Sequence, residues 1–333
     1  MQSSPGRLAL ALAAEGRSAE ALALVEKHAS EGDSEALFIR GLWRIEGKLI
    51  ARDLGQARQD LATAADKGRT EASRILAGLV ATGTGASPDW PEAIALLERF
   101  SGSDPVAERQ RALIAAMDLD DKGDPMVKPQ GTRLSETPEV VRFDGLFSAA
   151  ECDFLRDVAG QRFRPALIFH EARKQFVKDP IRDSDTASFP IVFEWPAVHA
   201  LNRRIAAATD TRVEQGEPLQ LLRYRPGQEY KPHLDAIPGL ENQRHLTMIV
   251  WLNDDYAGGE THFLETGLSV RGGKGDALMF RNAPADGRPD PASCHAGLPV
   301  TRGEKLIASR WIRQRPPQGP EEAFGPHEAE RPA

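Results

Sequence analysis

Leu221-Leu222-Arg223-Tyr224-Arg225-Pro226-Gly227-Gln228-Glu229-Tyr230-Lys231-Pro232-His233-Leu234-Asp235 is the stretch around which the rest of this chain is organised. Its chemical centre is His233-x-Asp235. In an extended strand, residues i and i+2 point to the same face, so an imidazole and a carboxylate at that spacing can grip one metal ion together. A third ligand is needed, and His295 stands far downstream as the candidate. The dipeptide motif by itself is weak, and its weight depends on its surroundings.

Downstream, short apolar runs at Leu219–Tyr224, His245–Leu252, Leu268–Val270, Ala277–Phe280 and Leu306–Ile312 predict strands. Pro226-Gly227, Ala257-Gly258-Gly259, Gly272-Gly273 and Asp286-Gly287 separate them as turns. Regularly spaced strands with Gly-rich turns point to a sandwich or jelly roll. Upstream, Pro196 to Thr209 predicts a helix, and Phe163 to Phe193 mixes aromatics with charges. That section, 165–190, reads equally as a substrate lid or a solvated loop. Ser148-Ala-Ala-Glu151 predicts a capping box opening a helix to about Gly160, and Pro138 to Phe147 a first strand.

Residues 1–125 read as helices, rich in Ala and Leu with apolar positions every three or four. A repeat of 36 runs beneath them: Gly32 and Gly68, Ala36 and Ala72, Gly47 and Gly83, Asp53 and Asp89. Ala21, Ala57 and Ala93 form a triplet at that spacing, as do Val25, Leu61 and Leu97. Such a period marks stacked helix-turn-helix units. The segments Gly32-Asp-Ser-Glu-Ala36 and Gly68-Arg-Thr-Glu-Ala72 resemble Sel1-like repeats, relatives of the tetratricopeptide repeat, although the usual aromatic positions are mostly missing. The expected fold class is therefore α+β with two domains: an all-α repeat solenoid at 1–125, a linker at 126–140, a jelly-roll domain at 141–313 with its core at 215–313, and a disordered tail at 314–333.

The 333 residues carry a net charge of −7, which argues against a nucleic-acid-binding surface. Cys152 and Cys294, the two cysteines, are too few for a disulfide framework, and a reducing compartment is the simpler expectation. No window approaches the roughly 18–20 apolar residues of a membrane span, and the opening apolar run is broken by Glu15. The expected setting is cytoplasmic, with no membrane partner.

Two His and one carboxylate on one face of iron leave three positions open, as in non-haem Fe(II) oxygenases. The flanking residues agree with that set. Leu222-Arg-Tyr-Arg-Pro-Gly-Gln228, Tyr230-Lys-Pro-His-Leu-Asp235, Trp251-Leu-Asn253, Gly258-Gly-Glu-Thr261, His295-Ala-Gly-Leu-Pro-Val300, Gly303-Glu-Lys305 and Arg310-Trp311-Ile312 occur in one order. Over about 141–313 the chain resembles the prolyl 4-hydroxylase-type Fe(II)/2-oxoglutarate-dependent dioxygenases. The resemblance implies a double-stranded β-helix with His233, Asp235 and His295 as iron ligands, and the 62-residue separation of His233 and His295 places the last on the opposite side of a barrel. It implies Lys305 as the cation for the remote carboxylate of 2-oxoglutarate, Tyr224 as a phenol donor to it and Trp311 as a pocket wall. It implies O2 as oxidant, succinate and CO2 as products, and ascorbate as an optional reductant.

The expected substrate is a prolyl or other residue in a protein or peptide, docked by the helical repeats. A hydroxylase of a free amino acid or small molecule, and a non-catalytic scaffold, are the alternatives. Leu234, Leu306 and Arg281 depart from the family pattern, and as expected neighbours of the pocket mouth they put peptidyl proline in question. His245 and His262 fall outside the ligand positions and read as structural. Cys294 adjoins His295, but adjacent strand residues point to opposite faces, which disfavours a Cys/His nucleophile.

Overall fold

The structure, a computed structural model, describes residues 4–170, 175–190 and 192–318. It divides into two compact units, residues 1–124 with 191–200, and 125–190 with 201–333. The first is built from α1 (Pro5–Ala14), α2 (Ser18–Ser30), α3 (Ser34–Glu46), α4 (Leu54–Asp66), α5 (Thr70–Thr82), α6 (Trp90–Ser101) and α7 (Pro105–Ala115). The 36-residue period maps onto these helices position by position. Gly47 ends α3 and Gly83 ends α5, at φ 74° and 75°, a left-handed backbone that a residue with a Cβ rarely adopts. Asp53 and Asp89 cap α4 and α6, their carboxylates accepting the backbone N–H of Gln56 and Glu92. Ala21, Ala57 and Ala93 are sealed between helices, with Val25, Leu61 and Leu97 filling the same layer. Small residues let the backbones close up, and the branched ones occupy what space remains.

The second unit contains β1 (Thr132–Glu136), β2 (Glu139–Phe143), α8 (Ala149–Ala159), β3 (Arg164–Pro165), β4 (Leu167–His170), β5 (Gln175–Lys178) and β6 (Asp185–Phe189). After α9 (Pro196–Thr209) come β7 (Leu219–Tyr224), β8 (Tyr230–His233), β9 (Arg244–Trp251), β10 (Ala257–Gly258), β11 (Thr261–Phe263) and β12 (Ser269–Val270). The series closes with β13 (Ala277–Arg281), β14 (His295–Gly297), β15 (Val300–Arg302) and β16 (Lys305–Arg313). The large sheet runs β1-β2-β13-β9-β16-β7-β6-β3, and the small one β12-β11-β14-β8, with every pairing antiparallel. Leu222, Ile249, Phe280 and Ile307 of the large sheet share one apolar cluster with Phe263 and Val270 of the small one. The two-sheet jelly roll expected from the strand spacing is therefore present, and its core lies between the sheets. Among the described residues no helix is long and apolar enough to cross a membrane.

Several local expectations change. Within 126–140, read as a linker, Thr132–Glu136 is an edge strand paired with β2. Its apolar content, one leucine among polar residues, gives no period to read. The section 165–190 is largely strand: β6 joins the large sheet, and β4 pairs with β5, while 171–174 lie outside the described residues. Gln314 and Arg315, read as the start of a loose tail, donate their backbone N–H groups to Gln243 O (3.0 Å) and Asn242 Oδ1 (3.1 Å). The remainder of that tail, from 319, lies outside the described residues.

Candidate metal centre

The pocket between the sheets follows from the period-two alternation of three strands. β16 directs Lys305, Ile307, Ser309 and Trp311 inward, β7 directs Leu222 and Tyr224, and β9 directs Thr247 and Ile249. His233 and His295 enter from the small sheet. They were expected from opposite sides of a barrel, but β14 is the hydrogen-bonded neighbour of β8 and the two histidines are direct register partners. Asp235 follows the end of β8. One nitrogen from each ring and one carboxylate oxygen lie within 4.8 Å of one another.

Both imidazoles are oriented in the same way. His233 Nδ1 lies 2.8 Å from Lys231 O and His295 Nδ1 lies 3.0 Å from Ser293 O, so each Nδ1–H donates to a carbonyl two residues back. That fixes the tautomer and turns both Nε2 lone pairs towards Asp235. His233 Nε2 is buried and makes no hydrogen bond, standing 3.5 Å from Asp235 Oδ1. His295 Nε2 stands 4.0 Å from Asp235 Oδ2. Two lone pairs converging on a carboxylate repel unless a cation sits among them. The donor set, two imidazoles and one carboxylate, is that of a facial triad with open positions.

The surroundings keep these groups in ligating form. Burial pushes the His295 ring down to about 4, against the opposing pull of Asp235, so it is neutral at pH 7. Burial alone would raise the Asp235 carboxyl, but His233, His295 and the Thr247 hydroxyl outweigh it and hold the group below the usual carboxylate range. Tyr230 stacks on His233 with ring centroids 3.5 Å apart, and Phe280 meets His295 edge-on at 4.5 Å.

Lys305 lies deeper, 3% exposed and paired in register with Tyr224. Its Nζ donates to Gly259 O at 2.6 Å and stands 5.6 Å from the centre of the Tyr224 ring. Gly258 and Gly259, both left-handed at φ 72° and 73°, bring that carbonyl to it, and a Cβ on Gly259 would meet Lys305 Cδ at 3.0 Å. No carboxylate lies within ion-pair distance of Lys305 among the described residues, so a buried ammonium keeps unspent donors. A cation in that condition calls for an anion. Burial lowers it to about 8 and raises the Tyr224 phenol to about 12, leaving Tyr224 a neutral donor. Trp311 walls the pocket, with the Arg244 guanidinium 4.0 Å over its ring.

The structure thus brings together His233, Asp235, His295, Lys305, Tyr224 and Trp311. Thr247, Asn282 and Tyr230 escaped the sequence reading; a threonine inside an apolar strand was the one available signal for the first. Two of the three departures do not reach the pocket. Leu306 follows Lys305 and so takes the opposite face of β16, and Arg281 is held by Glu139 at 2.7 Å. His262 turns to Ser269 Oγ at 2.7 Å, while its neighbour Thr261 lines the pocket.

Residues 219–313 match the model of the 2OG-Fe(II) oxygenase superfamily. Prolyl 4-hydroxylase 1 of Arabidopsis thaliana is 34% identical over 208 residues, covering 57% of this chain and 73% of that protein. The crystal structure of the viral collagen prolyl hydroxylase vCPH from Paramecium Bursaria Chlorella virus-1, a 2OG complex, aligns over 52% of this chain and 95% of its own, with 29% identity and a TM-score of 0.43. A Sel1 repeat protein from Oxalobacter formigenes aligns over 27% of each chain, with 30% identity and a TM-score of 0.26.

Proposed function

Since the chain belongs to the prolyl 4-hydroxylase family of 2-oxoglutarate/Fe(II) oxygenases, we propose that it hydroxylates a prolyl residue in a protein or peptide, consuming O2 and 2-oxoglutarate and releasing succinate and CO2. The observation that carries this reading is the convergence of two imidazole nitrogens on Asp235, that of His233 buried without a hydrogen bond, in one pocket with a Lys305 that has no carboxylate in ion-pair distance among the described residues. Bound iron and oxoacid supply the oxidising chemistry. His233, Asp235 and His295 would hold the metal. Lys305 would take the far carboxylate of 2-oxoglutarate, where a charge-assisted hydrogen bond in a dry site is strong. Tyr224 would donate its phenol proton to the same cosubstrate, and Ile307 with Trp311 would exclude water. The full chain loaded with Fe(II) should form succinate from 2-oxoglutarate and add one oxygen to a proline-rich peptide. A loaded chain that forms no succinate, with or without peptide, would overturn the proposal.

Burial of Lys305 gives this reading a pH signature. With its free-enzyme value near 8, the ammonium is mostly charged at pH 7 and mostly neutral at pH 9. The charged form binds the carboxylate, so kcat/KM for 2-oxoglutarate should fall above that value, approaching about tenfold per pH unit, while saturating cosubstrate keeps kcat level. Lys305→Arg should remove the inflection, and an inflection that survives the change would assign it elsewhere.

The same proposal gives the helical unit the task of docking the substrate protein. What supports it is a cavity of about 490 Å³ along α4, α5 and α6, floored by Leu76, Val80, Leu96 and Phe100. Arg58 lines it with a buried Nη1 that has no hydrogen-bond partner. Burial lowers this guanidinium against the distant pull of Asp89 and Glu92, so an acidic side chain of a docked segment would complement it. In the full chain, Arg58→Glu should raise KM for a protein substrate about tenfold, the size of one lost charged hydrogen bond, and leave a short proline peptide unaffected. Equal effects on both substrates would remove docking from this groove. A cytoplasmic setting belongs to the proposal as well, and the free thiols of Cys152 and Cys294 suit a reducing compartment.

A further inference from the structure

We infer that Thr247 and Asn282 are positioning residues for the metal centre, a two-link relay that fixes the plane of the Asp235 carboxylate. The Thr247 hydroxyl donates to Asp235 Oδ2 at 2.6 Å, and Asn282 Nδ2 donates to the same hydroxyl oxygen at 2.8 Å. A hydroxyl carries one proton, so a Thr247 that gives it to the carboxylate must receive from Asn282, and every link has one direction. With Oδ2 tied to Thr247, Oδ1 is the oxygen left beside His233 Nε2, at 3.5 Å.

The relay crosses three elements that sequence proximity does not connect. Asp235 follows β8 in the small sheet, Thr247 lies in β9 at the middle of the large sheet, and Asn282 follows β13. Register places Thr247 between Trp311 on one side and Phe280 on the other, so its side chain has apolar neighbours within the sheet and the carboxylate as its acceptor. Thr247 is 1% exposed and Asn282 0%. Asn282 also leaves its Oδ1 buried without a partner. A half-satisfied buried amide destabilises a core, and Val with Leu in these two places would pack without that cost. Folding alone does not account for the pair, whereas orientation of a ligand carboxylate does. This inference rests on the metal reading above and is testable without turnover.

The test is Co(II) affinity, measured on the full chain by chelator competition without cosubstrate, together with the visible spectrum of the Co(II) form. Thr247→Val removes the hydroxyl at nearly constant shape, Thr247→Ser keeps it, and Asn282→Leu releases the hydroxyl from its second partner. Loss of an outer-shell partner costs about 10–100-fold in metal affinity, so Thr247→Val is expected in that range with a changed spectrum. Thr247→Ser should bind within about twofold of the parent, well below that outer-shell cost, and Asn282→Leu should fall between the two. A purely structural pair would instead lower the melting temperature of the metal-free chain and leave affinity and spectrum in place, which would overturn the inference. A parent chain that binds no Co(II) would defeat the metal reading itself. A parent that binds, with Thr247→Val binding equally well, would defeat only the relay.

Discussion

Asp235→Ala is expected to give a folded chain that neither retains Fe(II) nor turns over 2-oxoglutarate. Three donors are available to a metal within 4.8 Å, and Asp235 is the only anion among them. Without it, two neutral imidazoles would face a dication in a buried site, and the charge that offsets desolvation of the ion is gone. The loss should exceed the roughly 10–100-fold associated with an outer-shell partner, because a ligand in the proposed role touches the ion itself. The fold should survive. The substitution deletes a buried charge and leaves the Thr247 hydroxyl without its acceptor, a cost of about 1–3 kcal/mol for an unsatisfied buried group. Metal content after desalting, with circular dichroism on the same sample, checks both halves. Retained iron with turnover near that of the parent would remove Asp235 from the ligand set.

Lys305→Ala should act on the other component of the site. Here metal affinity should stay close to that of the parent, while KM for 2-oxoglutarate rises. A hydrogen bond to a charged group contributes about 1.5–3 kcal/mol, which corresponds to roughly 10–150-fold in affinity. Among the described residues Lys305 has one hydrogen-bond partner, Gly259 O, so most of its donor capacity is left for a ligand carboxylate. At saturating cosubstrate kcat should recover in large part, since a lysine in the proposed role acts on the end of the oxoacid away from the metal. An unchanged KM would mean that another cation holds that carboxylate. Paired with Asp235→Ala, the variant separates loss of metal from loss of cosubstrate.

The ligand residues were legible because their chemistry is local. His233 and Asp235 stand two apart, and Lys305 and Trp311 share one strand face at even spacing, so alternation alone groups them. The helical repeat was legible for a similar reason, since Gly47, Gly83, Asp53 and Asp89 mark helix ends through backbone preferences of single residues. Errors arose where a neighbour decided the outcome. Thr132–Glu136 is a strand because β2 pairs with it, and nothing in Thr-Arg-Leu-Ser-Glu announces that partner. Leu306 was placed at the pocket mouth by its position in a motif, while the alternation of β16 takes it to the other face.

The sequence by itself determined which groups can bind a metal and an oxoacid, the strand character of the second unit and the period of the first. All of these depend on side-chain identity and on spacings of two, three to four, or 36 residues. Only the tertiary structure decided that His295 stands opposite His233 in one sheet, that both rings present Nε2, and that Asn282 and Thr247 stand behind Asp235. Those facts follow from which strands pair and in what register. A strand carries backbone donors and acceptors that many partners satisfy equally, so the choice among partners is made by packing of the whole core and not by any single stretch of chain.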